Sequence, residues 1–252
     1  MKRFVCYTVI SALAAIAGAQ SKEKPSEPIA TDRPDFTESA LVVPRHWIQL
    51  ETGFTYQWTK QAFALGAPEA LFRISASDKS EIRIGVPDFN WQRSGGVTAR
   101  GWGDTYLGMK IQLGPLKNGD DLAIIPAVTV PSRDTNFSSG SYDPEIKLCW
   151  GRDLGHSWGV SAMAYALYTT DTQGRLFVYQ QTVSFGRELT ENSGVFFEYA
   201  GTFSERTTAN HVLHLGYAFR PNHDSQIDVH GGFTMNGPDR DPFIAAGYSV
   251  RF

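Results

Sequence analysis

From position 47 to Phe252, apolar side chains return at every second position in segment after segment, and no run is long and apolar enough for a membrane-spanning helix. The longest apolar run, 122–130, is short and contains Pro126. In 47–58 one parity carries Ile48, Leu50, Phe54, Tyr56 and Trp58, while the other carries Gln49, Glu51, Thr55 and Gln57. At the far end Ile244, Ala246, Tyr248, Val250 and Phe252 oppose Ala245, Gly247, Ser249 and Arg251. Successive strand side chains point to opposite faces, so each such segment has one apolar face and one polar or small face. Segments around Phe72, Ile82, Met109, Leu148, Phe197, Leu215 and Val229 repeat the pattern.

A soluble sandwich would put this apolar face inside and fill its solvent face with Lys and Glu. Here the apolar face is broad and aromatic, and the opposite face mixes scattered charge with Gly, Ser, Thr and Gln. That arrangement suits lipid outside and a polar lumen within. In a bilayer every backbone polar group must be paired inside the protein, so strands survive only in a closed sheet. The sequence therefore predicts an all-β chain: a closed antiparallel transmembrane β-barrel of about twelve strands, even in number and within about ten to fourteen. Tight turns are expected at Asp78-Lys79 and in 115–120, 153–156, 188–193 and 221–224, with longer connections in 59–69, 87–103, 131–143 and 236–242. Short turns on one rim and long loops on the other is an outer-membrane pattern.

The start of the chain supplies the compartment. Lys2 and Arg3 precede an apolar stretch, 5–17, which ends at Ala17-Gly18-Ala19. This reads as a secretory signal peptide over 1–19. Residues 20–45, with Pro25, Pro28, Pro34 and Pro44, form an N-terminal periplasmic arm that could dock into the barrel of 46–252. The predicted location is the outer membrane of a Gram-negative-type bacterium. With the leader gone Cys149 is the one cysteine left, so no internal disulfide holds the fold. The formal charge of −3 becomes about −5, and no basic stripe marks a nucleic-acid partner.

Candidate functional residues sit on the polar parity. Glu51, Arg73, Glu81, Arg83, Asp104 and Lys110 are expected to face the lumen, as are Glu145, Lys147, Glu198, Asp228 and His230. They could line a permeation path whose charges set ion preference, or form an ion-pair network that only fills the interior. In the arm, Asp32-Arg33-Pro34-Asp35 is the candidate docking motif, with Arg33 expected to pair a lumen carboxylate such as Glu51 or Glu198. The six histidines (His46, His156, His211, His214, His223 and His230) show no zinc-type spacing, and the chain has no serine elbow or phosphate-binding glycine loop. Acidic residues in 134–143 lack the calcium-loop spacing. No catalytic residue, metal site or cofactor is assigned.

Several blocks carry a resemblance. They are Thr31-Asp32-Arg33-Pro34-Asp35-Phe36-Thr37-Glu38-Ser39, then Gln49-Leu50-Glu51-Thr52-Gly53-Phe54, Glu81-Ile82-Arg83-Ile84-Gly85-Val86, and Leu107-Gly108-Met109-Lys110. Phe197-Glu198-Tyr199, Gln226-Ile227-Asp228 and the closing Ala246-Gly247-Tyr248-Ser249-Val250-Arg251-Phe252 complete the set. Together they resemble the outer-membrane transporter family labelled putative MetA-pathway of phenol degradation. The resemblance implies an outer-membrane channel, and for a few members a link to aromatic uptake. The terminal Phe252 resembles the β-signal read by the barrel assembly machinery. The expected function is passive uptake of small solutes, aromatic or hydrophobic compounds among them, with outer-membrane lipid as the surrounding partner. The alternative is a plugged structural or partner-binding barrel without transport; an outer-membrane hydrolase ranks behind both.

Overall fold

The computed structural model describes residues 25, 27–236 and 240–252, so the signal-peptide reading of 1–19 lies outside the described residues. No helix among them is long and apolar enough to cross a membrane; the crossing is made by strands. Among the described residues fourteen strands follow one another. They are β1 (Ile48–Trp58), β2 (Ala62–Ser77), β3 (Ser80–Val86), β4 (Phe89–Ser94), β5 (Val97–Trp102), β6 (Thr105–Gln112) and β7 (Asp121–Val130). Then come β8 (Asp143–Gly155), β9 (Trp158–Asp171), β10 (Gly174–Thr190), β11 (Ser193–Ser204), β12 (Asn210–Asn222), β13 (Ser225–Thr234) and β14 (Phe243–Arg251). All pairings are antiparallel, and β1 bonds to both β2 and β14, which closes the sheet. Ile48 and Phe252 exchange both backbone hydrogen bonds at 2.9 Å, so the last residue seals the barrel against the first strand.

Twelve strands make the closed wall, and β4 and β5 are two extra ones. β3 pairs with the lower half of β2 (Ala70 to Ser77), and β4 takes over along its upper half, Ala62 to Ala67. Pro87 follows β3 directly and has no N–H to give to the ladder, so the wall strand breaks there. Two expected loops are thereby corrected. The 87–103 connection is a β-hairpin turning at Gly95-Gly96, whose φ values of 55° and 84° suit a mirror-type two-residue turn. The 59–69 connection shrinks to 59–61, because β2 already starts at Ala62. The 131–142 loop is long, as expected.

The pleat sorts the two faces. Leu107, Ile146, Phe197, Leu215 (60% exposed) and Ile227 point outward into lipid. Arginines lie over aromatic rings near the rims: Arg152 on Trp150 and Arg187 on Trp158 at the short-turn end, Arg175 on Tyr168 and Arg100 on Trp91 at the other. Such side chains keep an apolar stem in the interface and a charged head in water. In the turn before β7, Asp120 accepts from the Trp150 indole (2.8 Å) and the Arg152 guanidinium (2.6 and 2.7 Å), which holds its carboxyl down at about 2. The core lies inside the barrel. Its apolar part is small, with Ala40 of the arm packed on Ala123, Ile125, Cys149 and Met163 of β7 to β9.

Candidate functional site

The lumen is built by the inward parity of the strands together with the segment that precedes them. At the short-turn rim the Ile29 N–H donates to the His223 carbonyl (2.9 Å), and the Arg251 guanidinium donates to the Glu27 carbonyl (3.1 Å). The chain rises into the barrel, turns near Pro34 and Asp35, and descends until Val43 N–H meets Glu81 (2.7 Å) and Trp47 reaches β1.

Wall and arm interlock by type of group. Wall carboxylates take arm N–H groups: Glu51 accepts from Asp32 and Arg33 (3.1 Å each), and Glu198 accepts from Phe36 and Thr37 (2.8 Å each). Wall cations take arm carboxylates and carbonyls. Lys110 and Arg83 hold Asp32 at 2.8 and 2.5 Å, Arg83 and Lys147 hold Glu38 at 2.7 and 2.5 Å, and Arg73 donates to the Leu41 carbonyl at 2.8 Å. Four carboxylates (Asp32, Glu38, Glu51, Glu81) thus meet four cations (Arg73, Arg83, Lys110, Lys147), with Glu145 at the margin 3.5 Å from Lys147. Arg73 and Lys110 are completely buried. Charges so placed persist only when paired and hydrogen-bonded.

The wall alone is poorly balanced. Arg73 and Arg83 are direct cross-strand neighbours on β2 and β3, an arrangement of like charges that opposes pairing. Asp32 lies against both, 3.3 Å from Arg73 and 2.5 Å from Arg83, and Glu81 bonds each at 2.8 Å. The arm therefore completes the electrostatics of the interior.

Arg33 corrects the expected pairing. Its guanidinium pairs with Glu69 (3.0 Å) and Asp228 (3.4 Å) and contacts His230 Nε2 (3.2 Å), rather than the carboxylate of Glu51 or Glu198. The reason is space: Gly53 and Gly247, opposite each other on β1 and β14, leave the niche it fills. A Cβ at Gly247 would sit 2.8 Å from Arg33 Cζ. Gly247→Ala is expected to destabilise the folded barrel by about 1–3 kcal/mol through overpacking, read from the folded gel band in urea. In an Arg33→Ala background the same substitution should cost nothing; an undiminished cost there counts against the niche.

From Arg33 a chain of contacts leads back to the arm. His230 Nδ1 lies 2.8 Å from His214 Nε2, and His214 Nδ1 lies 2.8 Å from Glu198. Arg33 can only donate, so with both rings neutral His230 accepts at Nε2 and donates from Nδ1, and His214 then donates to Glu198. Phe36 packs against His214 with the rings tilted by 35° and their centroids 4.5 Å apart.

The structure thus brings Glu51, Arg73, Glu81, Arg83, Lys110, Glu145, Lys147, Glu198, Asp228 and His230 to the lumen around the arm. Asp104 stands apart, accepting from the Ser132 and Ser139 N–H groups (2.7 and 3.0 Å) and so shaping the 131–142 loop. Sequence reasoning missed Glu38, Glu69 and the full role of His214. His214 lies opposite Glu198 in the β11–β12 register, a signal readable once that register is known.

Space remains on both sides of the arm tip. A cavity of about 520 Å³ enters from the short-turn rim past Asp153, His156 and Glu188 and ends at Pro34, Asp35 and Phe196. A second, of about 270 Å³, is bounded by Asp32, Arg33, Asp35, Phe36, Glu38 and Glu69 on the other side. Asp35 is the residue bordering both. Burial and the neighbouring Glu198 push its carboxyl well above the usual carboxylate range.

The family described as "Putative MetA-pathway of phenol degradation" matches residues 31–252. A comparison with curated proteins by sequence gives no match. Among solved structures, an outer membrane channel from Pseudomonas putida F1 aligns with a TM-score of 0.63 at 13% identity, covering 92% of this chain and 100% of that one. The NanC porin aligns at 0.55 and 10% identity, covering 80% and 98%. The translocator domain of the autotransporter NalP from Neisseria meningitidis aligns at 0.53 and 7% identity, covering 98% and 95%. At these identities the likeness speaks for the shared barrel fold.

Proposed function

We propose, from the premise that this chain belongs to the family of putative MetA-pathway of phenol degradation proteins, that it is an outer-membrane channel for passive passage of small solutes. The observation that carries the reading is the pair of cavities that flank the arm tip, one on each side of Asp35. The arm's ion pairs concentrate on β2, β3, β6 and β8, and Glu198 and Thr182 hold its tip on β11 and β10, while space stays open beside the short-turn ends of β8 to β12. The likeness to a solved channel and a porin supports the reading. The short-turn rim then faces the periplasm, and Phe252 serves as the mark read by the assembly machinery.

The lining mixes charged groups such as Arg152 and Glu188 with Trp158, Val195 and Phe196. Aromatic compounds follow from the family's description and from the rings at the tip, where Phe36, Phe196 and Phe243 surround His214 at 4.5 to 5.3 Å. Lumen charges such as Arg73, Glu81 and Lys110 act here as the wall that seats the arm, and those near the cavities line the path. The competing reading, a plugged barrel without transport, draws on how fully the arm is bonded. Purified mature protein in planar bilayers should show discrete single-channel openings, and liposomes carrying it should swell in phenol-sized and sugar-sized solutes. A heat-modifiable, correctly folded barrel that stays electrically silent would hand the case to the plugged reading.

A further inference from the structure

We propose that the outer wall at the long-loop rim carries a binding site for a phosphorylated glycolipid of the outer leaflet, the class to which lipid A belongs. Lys60 and Arg93 meet its phosphate, and Tyr56, Trp58 and Phe63 meet its acyl chains. Of the channel reading the site needs only the orientation, with the long loops outward; transport is not involved.

Three observations carry it. First, shape: a recess of about 730 Å³ opens on the outer surface at the rim ends of β1, β2 and β4, with Tyr56, Trp58, Lys60, Ala62, Phe63 and Arg93 in its lining. A recess of that size holds a ligand-sized group. Its floor is aromatic. Tyr56 and Trp58, on the lipid-facing parity of β1, stack with centroids 5.6 Å apart, and Phe63 meets Trp91 edge-on at 5.1 Å.

Second, layering: the register sets cations beside and above these rings. Trp58 is the cross-strand partner of Phe63, and Phe63 is the partner of Arg93, two residues nearer the Gly95-Gly96 tip than Trp91. Lys60 follows Trp58 by two residues in the turn to β2. On β5, Arg100 pairs with Trp91 across the hairpin and lies over its ring at 4.7 Å. Rings at headgroup level with basic groups above them accept a lipid's chains and its anionic head together.

Third, charge: two other arginines of this rim, Arg175 and Arg206, are held by Asp143 and Asp171. Among the described residues no carboxylate lines the recess, and none lies within ion-pair distance of Lys60, Arg93 or Arg100. Three unmatched cations spread over neighbouring strand ends suit a headgroup with more than one phosphate.

The test is native mass spectrometry of the refolded mature protein titrated with diphosphorylated lipid A in detergent. The parent should retain one lipid A. The double variant Lys60→Gln with Arg93→Gln should bind about tenfold to thirtyfold more weakly, the usual worth of two basic groups at a lipid phosphate. Arg187→Gln, over Trp158 at the opposite rim, should bind as the parent does, with heat-modifiable migration confirming each fold. Equal binding by the double variant, equal loss in Arg187→Gln, or equal retention of lipid A stripped of its phosphates overturns the site. Displacement by millimolar inorganic phosphate would show a free-anion site and overturn the lipid assignment. Orientation is read separately: Val97→Cys, 73% exposed beside the hairpin tip, should react with a membrane-impermeant maleimide on intact cells, while buried Cys149 does not. A labelled Val97→Cys with no lipid A bound overturns the site and leaves the channel reading standing. An unlabelled one overturns the orientation, and this site with it.

Discussion

Removing residues 20–45 from the mature chain is expected to raise single-channel conductance severalfold. The arm occupies the barrel from the short-turn rim up to Asp35, so its loss joins the two cavities into one passage. It also takes away Asp32, Arg33 and Glu38, which leaves Arg73, Arg83, Lys110 and Lys147 facing Glu51, Glu81 and Glu145, and leaves Glu69 and Asp228 without their cation. Charges of both signs that lose their buried partners then meet water and line the wider passage. The shortened protein, refolded and checked for heat-modifiable migration, would be compared with the parent for conductance. Unchanged conductance would mean that solutes do not pass where the arm lies.

The second large effect falls on one side chain. Asp32→Asn should loosen the arm by about 3–5 kcal/mol, the usual cost of leaving a buried ion pair without one partner. Asp32 touches three cations at once: Arg83 at 2.5 Å, Lys110 at 2.8 Å and Arg73 at 3.3 Å. It also accepts from the Ser39 N–H at 2.9 Å, which fixes the descending limb. The closed ladder does not depend on these contacts, so the barrel should stay folded while the arm becomes accessible. Limited digestion with a nonspecific protease, followed by mass measurement of the protected fragment, reads this directly. The parent should keep its arm and the variant should lose it. Adding Lys110→Met should recover part of the loss, since it removes one of the stranded charges.

The barrel was legible because lipid outside and polar groups inside impose a strict period of two, as in Ile48–Trp58 and Phe243–Arg251. The upper half of β2 was not. Ala62, Phe63, Ala64 and Leu65 are apolar or small on both parities, so the alternation vanishes there and the segment resembles a loop. The β4–β5 hairpin hid for the opposite reason, because Pro87, Gly95-Gly96, Gly101 and Gly103 punctuate it with turn residues. The lumen-facing charges could be named from parity, but their partners could not. Partner choice depends on depth in the barrel, which is set by register: Glu81 meets Lys110 and Glu198 meets His214 as cross-strand neighbours. Arg33 went to Glu69 and Asp228 because two glycines facing each other made room, a coincidence of two distant strands.

Chain order bears on how the arm would leave its seat and return. The arm is not a separate plug. Val43, anchored on Glu81, is only a few residues from Ile48, where the wall begins. A segment tethered that closely competes for its own seat at an effective concentration in the millimolar range. Leaving and returning are then single-molecule events, indifferent to how much protein the membrane holds. A free peptide copying the arm would have to reach about millimolar concentration to take its place. Release of the arm is therefore expected to be brief and to reverse without any outside factor.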